Sequence, residues 1–240
     1  TEAFNRLQRL GPETGLEHVE DKSGRVTLRN REFSLTIELI TSDLFDTLSK
    51  NSPARSWDLL MAHSFLDLVD ITKAVPLFLS AVRPEGLVYF TLNFDGLTAF
   101  EPVVEKDLDE KIERLYHETM DERFVKGRPT GGSRTGRSLL RVLKDHQVRI
   151  LESGSSDWIC VAEKNGYGVD EAFFLHFIVD TIGEALSGHP RLDRERFSRW
   201  LELRHGQIES GQLIYIAHQL DVVGRPAQST CRMRKDDDTL

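Results

Sequence analysis

The stretch DLLMAHSFLDLVD at 58–70, followed by VRPEGLVYFTLNFDG at 82–96, decides how the rest of the chain is read. Residues 57–62 are almost continuously apolar, which predicts a strand covered on both faces. An acidic turn follows, and then Ile71, Val75, Phe78, Leu79 and Val82 share one face of a predicted helix over 72–82. Pro76 must bend that helix or delay its start, because its ring carries no N–H. Leu87 to Phe94 is a second buried strand, opened by Gly86 and closed by Asn93, Asp95 and Gly96. Strand, helical crossover and strand in this order is the pattern of parallel pairing.

Upstream, residues 25–29 and 34–41 read as strands joined by the polar turn Asn30-Arg31-Glu32. Leu35, Ile37 and Leu39 alternate with Thr36, Glu38 and Ile40, ending at Ser42-Asp43, so 35–41 is expected to be a third parallel strand. Phe4, Leu7 and Leu10 mark a helix over 2–10 that Gly11-Pro12 should stop. Downstream, Ile112, Leu115, Tyr116 and Met120 lie on one helical stripe before KGRPTGGSRTGR at 126–137. A helix at 137–146 leads to Val148–Leu151 and then SGSSDWICVAE, which either continues the sheet or forms a final hairpin, 148–152 with 157–162. Helices near 170–187 and 193–210 precede a last strand at 213–223, with Ile214, Ile216, Leu220 and Val222 expected on one face.

The chain has 240 residues, 39% hydrophobic and 29% charged, which fits a globular protein with a sizeable core. The net charge of −8 argues against a broad nucleic-acid surface. No apolar run approaches the roughly 20 residues that span a bilayer, and the polar start TEAFNRLQRLG does not read as a signal peptide. Cys160 and Cys231 are too few for a disulfide framework, so a reducing, cytoplasmic setting is expected. Cys160 should pack as a small hydrophobe. One domain over 1–224 is expected, with a helical insertion at about 169–210 and a disordered tail at 225–240.

The two quoted segments resemble the fourth and fifth strands of class I S-adenosylmethionine-dependent methyltransferases, where an Arg-Pro-x-Gly turn introduces strand five. The likeness covers roughly 35–223. It implies an α/β fold with a mostly parallel, Rossmann-like sheet, S-adenosyl-L-methionine as cofactor, and methyl transfer to a small molecule. Asp43, followed by Leu44, matches the acid after strand three that receives the adenine amino group; an Asp before a helix is equally an N-cap. His63, Ser64 and Phe65 match the segment flanking the methionine part of the cofactor. The branch acting on nucleic-acid amino groups carries an Asn or Asp and two prolines there, and this chain does not. His63 is a candidate general base, or else a hydrogen-bonded strand-end histidine. Asn93 and Asp95 face substrate by the same resemblance, or form a plain turn.

Asp67 and Asp70 are read as helix caps. Gly131 to Ser138 has the spacing of a phosphate loop, but no buried strand precedes it, which rejects that role. Lys126, Arg128, Arg134 and Arg137 could clasp an acidic substrate, or belong to a solvated connection. His117, His176 and His218 are read as core histidines, and no spacing suggests a metal site. The family's glycine-rich first loop is not found. The expectation is therefore an N-terminally incomplete relative whose strand 58–62 has an open apolar edge, or a non-catalytic module of the same fold.

Overall fold

A computed structural model describes residues 2–20, 25–50, 56–125, 127–164 and 166–227. By contact density the chain divides into two compact units, 1–50 and 51–240, a division the hydrophobic pattern did not reveal.

In the first unit α1 (Glu2–Thr14) runs past Gly11-Pro12, contrary to the expected stop, and Thr14 closes its last turn on the Leu10 carbonyl at 2.6 Å. Strands β1 (Glu17–Glu20), β2 (Val26–Arg29) and β3 (Ser34–Ile37) form an antiparallel meander, followed by α2 (Leu44–Lys50). The expected third parallel strand is thus corrected: β3 pairs antiparallel with β2 in a sheet of its own. The cause is local. Asn30 Oδ1 accepts the amides of Glu32 and Phe33 at 2.9 and 2.8 Å, turning the chain back at a cost far below that of a long crossover.

The second unit is built on β4 (Trp57–His63), β5 (Val82–Glu101), β8 (Arg149–Ser155), β9 (Trp158–Val161) and β10 (Ile214–Arg225); a minor hairpin, β6 (Phe124–Val125) with β7 (Arg128–Pro129), lies apart. The order is β4-β5-β10-β8, with β9 also on β10. Only β4 and β5 are parallel; β10 is antiparallel to β5, β8 and β9. The sheet is therefore mixed rather than mostly parallel, because β10 enters between β5 and β8 with reversed direction. Strands β8 and β9 lie along β10 one after the other, and so are not a hairpin.

Helix α3 (Ile71–Ala81) makes the crossover from β4 to β5. Asp70 caps it, accepting the Thr72 amide at 3.0 Å, and the helix passes through Pro76. The turn into β5 needs its glycine: a Cβ at Gly86 would stand 2.6 Å from Val82 Cγ1 and 2.9 Å from the Asp58 carbonyl. Phe78 packs on Phe90 at 6.0 Å, burying the apolar face read from the sequence. Among the described residues β4 ends the sheet, and Trp57, Leu59 and Met61 on it are exposed, so the strand is not covered on both faces as its apolar run suggested.

The remaining helices are α4 (Lys106–Asp121), α5 (Thr135–Asp145), α6 (Val169–Ala185) and α7 (Arg194–Glu209). Leu115 of α4, Val179 of α6, Trp200 of α7 and Tyr215 of β10 share one buried cluster with Cys160, which packs as a small hydrophobe. A charged pin crosses this cluster. Arg204, 0% exposed, donates to Asp109 Oδ1 at 2.8 Å and to the Pro102 carbonyl at 2.8 Å, with Phe100 and Trp200 rings beside its guanidinium. Asp109 Oδ2 accepts the Val104 and Glu105 amides, and Trp200 Nε1 donates to Oδ1.

In β10 Ile214, Ile216 and Leu220 share one half-buried face as expected, but Val222 falls on the buried face with Tyr215, Ala217 and Gln219. Register shifts at Ala217/Gln219 and Leu220/Val222 change the phase, and the other face is half covered, so both faces carry aliphatics. His218 is accordingly not a core residue; its Nδ1 lies 2.7 Å from Asp157 Oδ1. At the second shift Asp221 Oδ1 accepts the Leu92 amide at 2.8 Å and the Ser156 hydroxyl at 2.6 Å. Of the expected tail, Arg225 ends β10, and residues 228–240 lie outside the described residues.

Two substitutions test these ties by urea unfolding. Asp109→Ala strands a buried guanidinium and is expected to cost about 3–5 kcal/mol. Asp221→Ala strands the Leu92 amide and is expected to cost about 1–3 kcal/mol.

Candidate functional site

The carboxyl end of β4 is where the parallel pair opens. His63 pairs with Thr91, its Nδ1 bonded to the Thr91 hydroxyl, and its exposed ring stands edge-on to Tyr89 at 5.9 Å. Ser64 takes a left-handed backbone (φ 47°), and its amide donates to the Thr91 carbonyl at 3.1 Å. Phe65 packs on Phe78, and Leu66 enters the core.

That sharp turn carries Asp67 beneath β5. Phe94 N–H donates to its Oδ2 at 3.4 Å, and Gly131 N–H donates to its carbonyl at 3.2 Å. Oδ1 is buried with no hydrogen-bond partner. Burial pushes the Asp67 carboxyl up to about 6, against the opposing pull of the Phe94 amide, the Thr135 hydroxyl and the Arg123 charge. Sequence reasoning took Asp67 for a cap. Nothing in its spacing distinguishes it from Asp70, and only the fold separates the two.

Asp67 lines a cavity of about 200 Å³. Its walls come from the second half of β5 (Phe94, Thr98), α4 (Tyr116, Met120), α6 (Phe174, Ile178), β9 (Trp158) and β10 (Tyr215, Ala217, Gln219). Arg123, Thr130 and Gly132 complete it. Trp158 meets Phe174 edge-to-face at 4.8 Å, and Phe174 meets Tyr215 at 5.7 Å. The chemistry is apolar and aromatic, with one under-bonded carboxyl.

The other sequence candidates fall elsewhere. Asp43 and Leu44 belong to the first unit, where Asp43 Oδ1 accepts the Phe45 and Asp46 amides as the N-cap of α2. Asn93, fully buried, donates from Nδ2 to the Leu220 carbonyl at 2.8 Å. Asn93 Oδ1 has no partner, whereas Asp95 Oδ1 receives Arg137 N–H at 2.9 Å and Nε at 2.8 Å, holding α5 against β5. Neither lines the cavity.

The glycine-rich run is built into the fold rather than a solvated connection. Arg128 lies in the exposed hairpin, Arg134 bridges Asp95, and Ser133 is bound by Asp121, its amide at 2.7 Å. Gly136 has no room for a Cβ, which would stand 2.9 Å from the Asn93 carbonyl. Lys126 lies outside the described residues. So Arg137 serves Asp95, and Arg128, Arg134 and Arg137 hold separate places in the fold.

Thr98 borders a second, open hollow of about 580 Å³ with Glu110, Glu113, Arg114 and His117. His117 Nε2 lies 3.1 Å from the Thr98 hydroxyl, and burial lowers its pKa below the ordinary value. Burial, with Asp109 beside it, raises Glu113 to about 7. Away from both hollows, His176 Nδ1 meets His205 Nδ1 at 2.7 Å. Among the described residues no group of three or more His, Cys, Asp or Glu side chains is arranged to hold a metal ion. None of their helices is long and apolar enough to cross a membrane.

Solved methyltransferases resemble this chain in shape. Phosphoethanolamine N-methyltransferase 2 of Haemonchus contortus, in complex with phosphomonomethylethanolamine and S-adenosylhomocysteine, aligns with 76% of this chain and 36% of its own, at 10% identity and a TM-score of 0.34. A provisionally assigned methyltransferase of Bacillus halodurans C-125 aligns over 76% and 69%, at 7% identity and a TM-score of 0.42. A provisionally assigned sarcosine dimethylglycine methyltransferase of Galdieria sulphuraria aligns over 75% and 57%, at 14% identity and a TM-score of 0.32. The chain thus spans about a third of the first of these proteins. No protein-family model matches it, and no curated protein matches it in sequence. At such identities and overlaps, function has to be argued from the chain's own residues.

The two raised carboxyls set a pH dependence. An acid whose pKa is raised by folding binds its proton more tightly in the folded state, so it adds stability as pH falls and withdraws it as pH rises through the folded value. Asp67 should withdraw stability mostly between about pH 4 and 6 and Glu113 mostly between about pH 4.5 and 7, each by on the order of 1–2 kcal/mol after solvent screening. Thermal melts of Glu113→Gln and Asp67→Asn should each flatten part of that slope; an unchanged slope in both contradicts the assignment.

Proposed function

We propose that residues 56–227 form the acceptor-binding side of an S-adenosylmethionine-dependent methyl-transfer unit acting on a small molecule. One observation carries this: the β4–α3–β5 parallel pair turns its carboxyl end, through Ser64 to Asp67, onto an aromatic-lined cavity. Ligands of open α/β sheets bind at the carboxyl ends of parallel strands. The segments 58–70 and 82–96, which carry the sequence resemblance, are the two that make this pair.

The residues present fit only part of the cofactor. His63 and Ser64 stand exposed on the turn, and His63 Nε2 is turned from the Thr91 bond, which suits the flank of a methionine moiety. Two turns with glycines lead from a strand into a helix, β7 to α5 through Gly131 and Gly132 and β9 to α6 through Gly166 and Gly168, but neither follows β4 or β5, the parallel pair. No step is therefore derived through the cofactor. The chain's own contribution is to hold the acceptor, exclude water and present a carboxyl to it.

That both glycine turns follow strands outside the parallel pair favours a second reading, a module of this fold that binds without catalysing. Calorimetry of the full chain with S-adenosylhomocysteine separates them. Binding weakened several-fold by His63→Ala supports a cofactor flank at the β4 turn. No heat at millimolar ligand removes methyl transfer by this chain and leaves the binding module.

A further inference from the structure

We propose that the cavity at Asp67 takes a molecule with a single aromatic ring bearing a hydroxyl or amino group, the ring lying among Phe94, Trp158 and Phe174 and the O–H or N–H donating to Asp67. The inference rests on the acceptor-side reading of this cavity and supplies its substrate class.

Size comes first. The volume of about 200 Å³ is modestly larger than the roughly 150 Å³ apolar cavity that accommodates benzene. One ring and a short substituent match that volume. Shape agrees, because Trp158 and Phe174 meet edge-to-face at 4.8 Å with planes at 88°. A third ring completes such an arrangement at the separations that aromatic pairs prefer.

Charge then fixes the substituent. Asp67 Oδ1 is buried without a partner, and a buried acceptor gains most from a donor delivered to it. A purely apolar ring leaves that oxygen as it is. An anionic substituent would be set against a carboxyl, with only the exposed Arg123 among the lining residues to offset it. A hydroxyl or amino hydrogen satisfies the site without either penalty.

The test needs no methyl donor, so its outcome is separate from that of cofactor binding. Phenol, aniline, toluene, benzoate and tetramethylammonium are titrated calorimetrically into the full chain at pH 7.5. Phenol and aniline are expected to bind at least tenfold more tightly than toluene, and benzoate not measurably. In Asp67→Asn, which keeps the shape, the advantage of phenol over toluene should fall about tenfold, with toluene unchanged. Phe174→Leu should weaken all three neutral rings together. Thermal melts of both variants confirm that they fold. Toluene equal to phenol, an Asp67→Asn variant that discriminates as the wild type does, a preference for tetramethylammonium, or no ring bound at all each overturns the proposal.

Discussion

Three strands change register at one level of the sheet, and the carboxylate of Asp221 holds that joint. Leu92 takes a left-handed backbone (φ 56°) in β5, β10 shifts between Leu220 and Val222, and β8 gives way to β9 across Ser156-Asp157. Asp221 Oδ1 receives both the Leu92 amide and the Ser156 hydroxyl. A bulge leaves donors out of the ladder, and a side-chain acceptor at the same height restores them. Because the joint re-phases β5, its first half packs Phe90 on Phe78, while its second half sends Phe94 and Thr98 to the cavity. Without the joint, a twenty-residue strand would carry one alternation throughout, and the cavity would lose a wall.

The helical layer beside this half of the sheet depends on a different economy of charge. Arg204 is wholly buried, and Asp109 answers it directly while Glu101 and Glu113 act at longer range. Desolvation opposes the guanidinium's charge, so the pin is not a large source of net stability; its effect is to fix where α7 meets α4. Glu113 bears the cost, kept above the usual carboxylate range by burial and by Asp109. Asp67 carries a similar burden at the cavity, but without a cation in the core to answer it. In the buried cluster both Asp109 oxygens are met by donors, while Arg204 Nε and the cavity carboxyl's Oδ1 are left without partners.

Much of this was legible in the chain, element by element. Periodicity located α3 to within a residue, and α4, α6 and α7 nearly as well, because each has a stripe long enough to show the helical period. The parallel pairing of β4 with β5 followed from an apolar run on each side of a crossover helix. Periodicity could not assign 34–37, since alternation is the same in parallel and antiparallel strands and only the Asn30 turn chose between them. It also misphased Val222 in β10, whose two faces are both aliphatic and whose bulges leave no mark in composition.

The site divides in the same way. By itself the sequence determined that polar residues gather after 57–62 and 87–94, because chain order and burial pattern are local properties. Only tertiary structure decided which of them meet a ligand-sized space. Asp43 and Asp70 became caps, Asp95 was taken by Arg137, and Asp67 was left short of partners in a cavity whose walls come from five distant elements. The physical reason is that the local sequence makes a carboxylate available, whereas its role depends on which donors the rest of the chain brings within about 3 Å of it.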